Sequence, residues 1–153
     1  MKRITVALIA LATLTLSAAV RYPYKNAGLP IDQRVDDLLS RMTVEEKAGQ
    51  LVCLMGWESY QINNKRATVS KKFRDEVDSL NVGMYWAVFR ADPWTRKTLA
   101  NGLNPALAAQ VANAMQRYAI EHTRLGIPIF LAEEAPHGHM AIGTTVFPIT
   151  LRL

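Results

Sequence analysis

Two apolar runs constrain this chain more than any other feature. Val82-Gly83-Met84-Tyr85-Trp86-Ala87-Val88-Phe89 and Ile127-Pro128-Ile129-Phe130-Leu131 lack the alternation of a half-solvated strand. A strand reads that way when both its faces are covered, as in parallel sheets flanked by helices. Parallel neighbours need a crossover of a dozen residues or more, usually through a helix. The interval between the runs supplies one. Residues 90–103 form a long loop with Pro93, Trp94 and Gly102, after which Asn104 is a natural N-cap and Pro105 suits the first helical position. Leu107, Val111, Met115 and Tyr118 then recur at helical spacing, predicting a helix to about Thr123, with Arg124 in its last turn and Gly126 at C′. Strand, crossover helix and strand make a βαβ unit, so the fold class is α/β with parallel strands. Ligands of such sheets bind at the C-terminal edge of the strands.

Upstream, Ile31, Val35, Leu38, Leu39 and Met42 predict an amphipathic helix over residues 32–41. Thr43-Val44-Glu45-Glu46 is a capping box. It opens a second predicted helix whose face is Val44, Ala48, Leu51, Val52 and Met55, ending at Gly56. Residues 57–69 are polar and expected to be irregular, with Asn63-Asn64 as turn formers. A third helix over residues 70–80 sets Phe73, Val77 and Leu80 on one side.

Met1-Lys2-Arg3, the uncharged stretch from Ile4 to Leu16 and Ser17-Ala18-Ala19 have the order of a secretory signal peptide. The apolar stretch is shorter than the roughly 20 residues of a membrane span, so no stable span is expected. An uncleaved anchor or a buried helix is the competing reading. Residues 1–19 are therefore expected to be a signal peptide and residues 20–153 the exported portion, periplasmic or secreted. Without the leader, sixteen cations face thirteen acids, a net charge of +3. These charges are dispersed and no basic block alternates with aromatics, so a nucleic-acid partner is not expected. Cys53 is the single cysteine and lies in an apolar run, where a small buried hydrophobe is expected. Nothing in the sequence fixes an oligomeric state.

The chemistry-bearing residues gather in the two loops that follow the apolar runs. Arg90-Ala91-Asp92-Pro93-Trp94 and Glu133-Glu134-Ala135-Pro136-His137-Gly138-His139 bring an arginine, three carboxylates, two histidines and an aromatic to one sheet edge. That mixture suits a sugar, whose hydroxyls need charged hydrogen-bond partners and whose C–H faces pack on aromatic rings. Arg90, Asp92 and His137 are candidate contacts; solvated loop residues with Trp94 as a packing anchor are the plain alternative. His137-Gly138-His139 with Glu133 or Glu134 offers donors for zinc, but the spacing identifies no third well-placed ligand, so neither metal nor cofactor is expected. The chain has no Gly-x-Ser-x-Gly elbow, phosphate loop or dinucleotide fingerprint. Glu133 and Glu134 are neighbours near a strand end, where side chains point to opposite sides, and make a poor acid/base pair.

Several segments, in order and spacing, resemble family 3 glycoside hydrolases of the β-glucosidase kind. They are Leu29-Pro30-Ile31, Asp36 through Lys47, Gly49-Gln50-Leu51, Arg124-Leu125-Gly126-Ile127-Pro128, Glu134 to Gly138, and Gly143 to Pro148. The similarity reaches from Tyr22 to Pro148. It implies a (β/α)8 TIM-type barrel, present here as a partial barrel of its first βα units, and a carbohydrate substrate. The implied reaction is hydrolysis of terminal β-linked sugars with retention, which uses a nucleophilic and an acid/base carboxyl group. In the family the nucleophile is an Asp well downstream and the acid/base usually comes from a following domain. Neither is expected in this chain, nor is the later Lys-His sugar-binding segment, so no catalytic residue is assigned. Glu134 stands where the family usually has an Asp that grips sugar hydroxyls, and its extra methylene leaves the sugar's identity open. The ending Ile149-Thr150-Leu151-Arg152-Leu153 departs from the family's Gly-rich continuation, as a truncated gene, a frameshift or a sequence fragment would. A different class of reading is a small, independently folding secreted carbohydrate-binding or interaction module.

Export is checked by mass spectrometry of protein recovered from a bacterial envelope fraction. Val20 is the expected N-terminal residue. Protein found only in the cytosol and starting at Met1 would refute the leader.

Overall fold

The computed structural model of the protein describes residues 22–148. Two compact units divide after Thr43. The leader, its cleavage point and the ending from Ile149 onward lie outside the described residues. No helix among the described residues is long and apolar enough to cross a membrane.

In the first unit, a 3-10 turn at Pro23–Lys25 precedes α1 (Ile31–Arg41), one residue longer at its start than its apolar spacing predicts. Asp37 ties the two together. Its carboxylate accepts the Tyr24 amide at 3.1 Å and two Arg41 donors one helical turn away, at 3.0 and 2.9 Å.

The second unit is built on a three-stranded parallel sheet in the order β1 (Cys53–Met55), β4 (Met84–Trp86), β5 (Phe130–Ala132). Tyr85 sits between Leu54 and Leu131 in the register, and its side chain is fully buried. The expected crossover helix is α4 (Pro105–His122), and Asn104 caps it by accepting the Leu107 amide at 2.9 Å. Val111, Met115 and Ala119 form its buried stripe. The helix gives way at Thr123, and Gly126 takes its positive φ of 62° three residues later instead of closing the last turn. A second crossover runs from β1 to β4 through α3 (Lys71–Leu80), capped by Ser70 and buried along Phe73 and Val77, whereas Leu80 is half exposed. The α/β class and the parallel strands are therefore present.

The apolar runs are strands only over Met84–Trp86 and Phe130–Ala132, and Phe130, expected between two covered faces, is 73% exposed on the outer strand. Two further expectations fail. The second helix, α2 (Val44–Gln50), stops well short of Gly56, and Cys53–Met55 becomes strand β1. The proposed helical face does not face a core, since Val44 and Leu51 are 78% and 89% exposed. Pairing with β4 satisfies the backbone of Cys53–Met55 and overrides a spacing that suits a helix equally well. Cys53, expected inside, is exposed on this edge strand. The second failure concerns residues 57–69, which contain an antiparallel hairpin, β2 (Tyr60–Asn63) and β3 (Arg66–Val69). Its two-residue loop, Asn64-Lys65, has φ of 48° and 62°, the pair of positive values that a type I′ turn requires. The expected turn is present but shifted by one residue, since Asn63 ends β2, and four-residue strands give too little alternation to read.

Glu46 of α2 and Arg124, which precedes β5, form a two-pronged ion pair at 2.9 and 2.5 Å. Gly49 explains how closely α2 approaches the end of α3. A Cβ there would stand 2.4 Å from the Leu80 carbonyl and 2.5 Å from that of Asn81, both immobile backbone atoms. The Gly49 carbonyl in turn accepts the Gly83 amide at 3.0 Å on the approach to β4. Gly49→Ala is expected to lower unfolding stability by about 1–3 kcal/mol, the usual cost of overpacking, in a denaturant titration. Gly28→Ala, whose added carbon meets only the Asn26 side chain, is expected to be nearly neutral.

Candidate functional site

All three strands run the same way, so the segments after Met55, Trp86 and Ala132 emerge at one edge. The chain leaves β4 through Ala87, a buried residue with φ of 61°, a left-handed conformation that costs a side-chain-bearing residue about 1–3 kcal/mol. Its amide bonds the Ala132 carbonyl at 2.9 Å, which keeps β4 and β5 together where they diverge. Beyond that point the two loops are stitched to each other. The Phe89 amide donates to Glu133 Oε1 at 2.9 Å, the Ala91 amide donates to the Met140 carbonyl at 2.8 Å, and Arg90 and Ala141 form an antiparallel bridge. Glu133 Oε2 lies 3.1 Å from His139 Nε2.

Arg90 is the centre of the edge. Its Nε donates to Asp92 Oδ2 at 2.7 Å and one terminal nitrogen donates to Glu134 Oε2 at 3.2 Å. The guanidinium also lies 5.4 Å from the Trp86 ring centroid and 5.1 Å from that of Trp94, inside the range of cation–π attraction. Trp57, on the segment after β1, packs against both rings, at 6.3 Å from Trp86 and 5.0 Å from Trp94. Every tryptophan of the chain is therefore in this one cluster.

The two carboxylates on Arg90 differ in surroundings. The Asp92 side chain is 5% exposed and Glu134 is 60% exposed. Asp92 Oδ1 accepts the Thr95 amide at 2.9 Å while its own amide donates to Thr95 Oγ1 at 3.1 Å, closing a tight turn. Burial alone pushes the Asp92 carboxyl up. The Thr95 amide, the Arg90 guanidinium and the Thr95 hydroxyl together outweigh it and hold Asp92 below the usual carboxylate range.

Of the residues singled out in the sequence, Arg90, Asp92 and Glu134 are thus brought together. His137 stands on the same loop as Glu134 but shares no hydrogen bond with these three, and its buried Nδ1 has no partner among the described residues. Among the described residues no three His, Cys, Asp or Glu side chains converge on one point.

No family model matches the chain. Curated relatives do. It is 33% identical over 132 residues to a protein of Formosa agariphila named for β-xylosidase activity, covering 83% of this chain and 16% of that one. It is 34% identical over 144 residues to β-glucosidase C of Emericella nidulans, covering 86% of this chain and 21% of the relative. A periplasmic β-glucosidase/β-xylosidase of Dickeya chrysanthemi is 29% identical over 121 residues, with 73% and 15% covered. The chain is a relative of β-glucosidases and β-xylosidases. It spans about a fifth or less of the length of these curated relatives.

Within this relative of glycosidases, Trp57, Trp86 and Thr95 carry no site signal in the sequence, and Glu133, which the sequence offers only as a zinc donor, bonds the Phe89 amide and lies against His139. Trp57 falls in a polar stretch that reads as irregular, because the spacing ahead of it suits a helix as well as strand β1. In the sequence Trp86 is one more residue of an apolar run. The Asp92-Pro93-Trp94-Thr95 spacing, a carboxylate three residues before a hydroxyl, is the local signal that marks the capped turn.

The lowered Asp92 carboxyl has a consequence for stability. Its contribution is present above the unfolded-chain value of about 3.9 and is lost as pH falls through the lower folded value. Asp92→Asn is therefore expected to melt below the unmodified protein at pH 6. The gap should close as the pH is lowered past about 3.9, checked by thermal melts across that range.

Proposed function

We propose that this chain forms the sugar-gripping edge of a secreted or periplasmic glycosidase of family 3, whose (β/α)8 barrel hydrolyses terminal β-linked glycosides with retention. In this reading the nucleophile and the acid/base carboxyl lie outside these 153 residues. Relatives named β-glucosidase and β-xylosidase support the substrate class. A parallel sheet whose two outer strands have no further neighbour among the described residues, with Phe130 73% and Met55 51% exposed, suits a barrel that continues on both sides.

The observation that carries the reading is Glu134. It follows β5 at its C-terminal end, where barrel enzymes present side chains to substrate. One carboxylate oxygen is engaged by Arg90, and the other is bonded by nothing among the described residues. A carboxylate so placed accepts sugar hydroxyls through charge-assisted hydrogen bonds, with Arg90, Asp92 and His137 as its polar surroundings and the tryptophan cluster as the apolar wall.

Losing one such bond costs about 1.5–3 kcal/mol, or roughly ten- to 150-fold. In protein completed with a relative's remaining length, Glu134→Gln is expected to lower kcat/KM for aryl β-glucosides and β-xylosides by that factor. The melting temperature should stay nearly unchanged. Because bonds that tighten toward the oxocarbenium-like state act on kcat, both kcat and KM should change. Glu133→Gln is expected to affect turnover much less. Equal and small effects from the two substitutions would reduce Glu134 to a solvated loop carboxylate, and completed protein that binds these glycosides without turning them over would favour the binding module.

A further inference from the structure

We propose that Asp92 is a positioning residue that holds Glu134 in place for a sugar by locking the Arg90 guanidinium that stands between them. The inference rests on the carbohydrate reading above and assigns the carboxylates different tasks. Asp92 is closed to a ligand by burial, and each of its oxygens already serves a partner. Oδ1 takes the Thr95 amide, Oδ2 takes Arg90 Nε, and the side chain is 5% exposed. Glu134 is the reverse case, 60% exposed and held at one oxygen by a terminal nitrogen of the same guanidinium.

The guanidinium is planar, so fixing Nε fixes the direction of the terminal nitrogens. Asp92 supplies that fixation, and its own orientation is set by the Thr95 turn. The Trp86 and Trp94 rings, both within cation–π range of the guanidinium, restrict its remaining freedom. Without the clamp, a long, exposed glutamate samples many rotamers and must be ordered when a sugar binds. Ordering one flexible side chain is worth about two- to tenfold in affinity. Asp92 thus acts on a ligand that it does not touch.

Two measurements on the full chain test this. The first needs no ligand and follows the Arg90 Nε–H resonance by nitrogen-15 NMR. The signal is expected to be sharp and slowly exchanging in the unmodified protein and in Glu134→Gln, and to be broadened or lost in Asp92→Asn. An unchanged signal in Asp92→Asn would overturn the clamp. The second titrates methyl β-D-xylopyranoside and methyl β-D-glucopyranoside against tryptophan emission, all of which comes from Trp57, Trp86 and Trp94. Asp92→Asn is expected to weaken binding about two- to tenfold in the unmodified background and to add nothing in a Glu134→Gln background. Arg90→Lys, which keeps the charge but loses the planar fork, should behave like Asp92→Asn. Equal loss from Asp92→Asn in both backgrounds would overturn the proposal, because Asp92 would then act independently of Glu134. Failure of the unmodified protein to bind either glycoside would sink the carbohydrate reading, while the Nε–H comparison still decides whether Asp92 locks Arg90.

Discussion

Strand β4 is hydrogen-bonded to a parallel neighbour on each side, and the rest of the second unit depends on that arrangement. A parallel pair cannot close through a hairpin, so each side of β4 requires a crossover, and α3 and α4 fill the two crossovers. Their buried stripes, Phe73 and Val77 on one and Val111, Met115 and Ala119 on the other, belong to one apolar cluster with Tyr85. Full burial of Tyr85 would strand its hydroxyl, and the Glu76 carboxylate accepts it at 2.8 Å. Burial first, and the Glu76 contact second, push that phenol's ionisation well above its ordinary value, so it stays a neutral donor.

The same arrangement delivers three chain segments to one edge. Their side chains meet there only because backbone bonds continue past the strand ends, from Ala87 to Ala132 and from Ala91 to Met140. Glu133 adds a side-chain tie from the second loop to the first at the Phe89 amide. These ties set the separation across which Arg90 reaches Glu134.

Magnitudes indicate what the charges at this edge are for. An exposed ion pair is worth about 0–1 kcal/mol, so the Arg90–Glu134 contact adds little to folding. The Arg90–Asp92 pair is better shielded and shares its carboxylate with the Thr95 amide, and a guanidinium within cation–π range of aromatic rings gains roughly 0.5–2 kcal/mol. Arg90 is therefore held chiefly by Asp92 and the tryptophans, and Glu134 is the loosely held member. A carboxylate that contributes little to stability yet is aimed by a rigid cation is suited to meeting a ligand.

Local chemistry made much of this legible. The Asn104–Pro105 cap, the 3.6-residue stripe of α4, the two apolar strands and the gathering of Arg90, Asp92 and Glu134 at one edge follow from spacing and from the geometry of a βαβ unit. These signals act over a few residues or one turn, and tertiary context kept them while shortening the two strands to Met84–Trp86 and Phe130–Ala132 and leaving Phe130 73% exposed. Tertiary structure alone decided that Cys53–Met55 is a strand and not the end of a helix, because the competing hydrogen-bond partners lie 31 residues away on β4. It also decided that Trp57, Trp86 and Trp94 share one cluster, that Glu133 serves the backbone, and that the Arg90 cation stands between a buried and an exposed carboxylate. Each of those facts is a distance between residues far apart in the chain, and such distances exist only once the sheet has fixed its register.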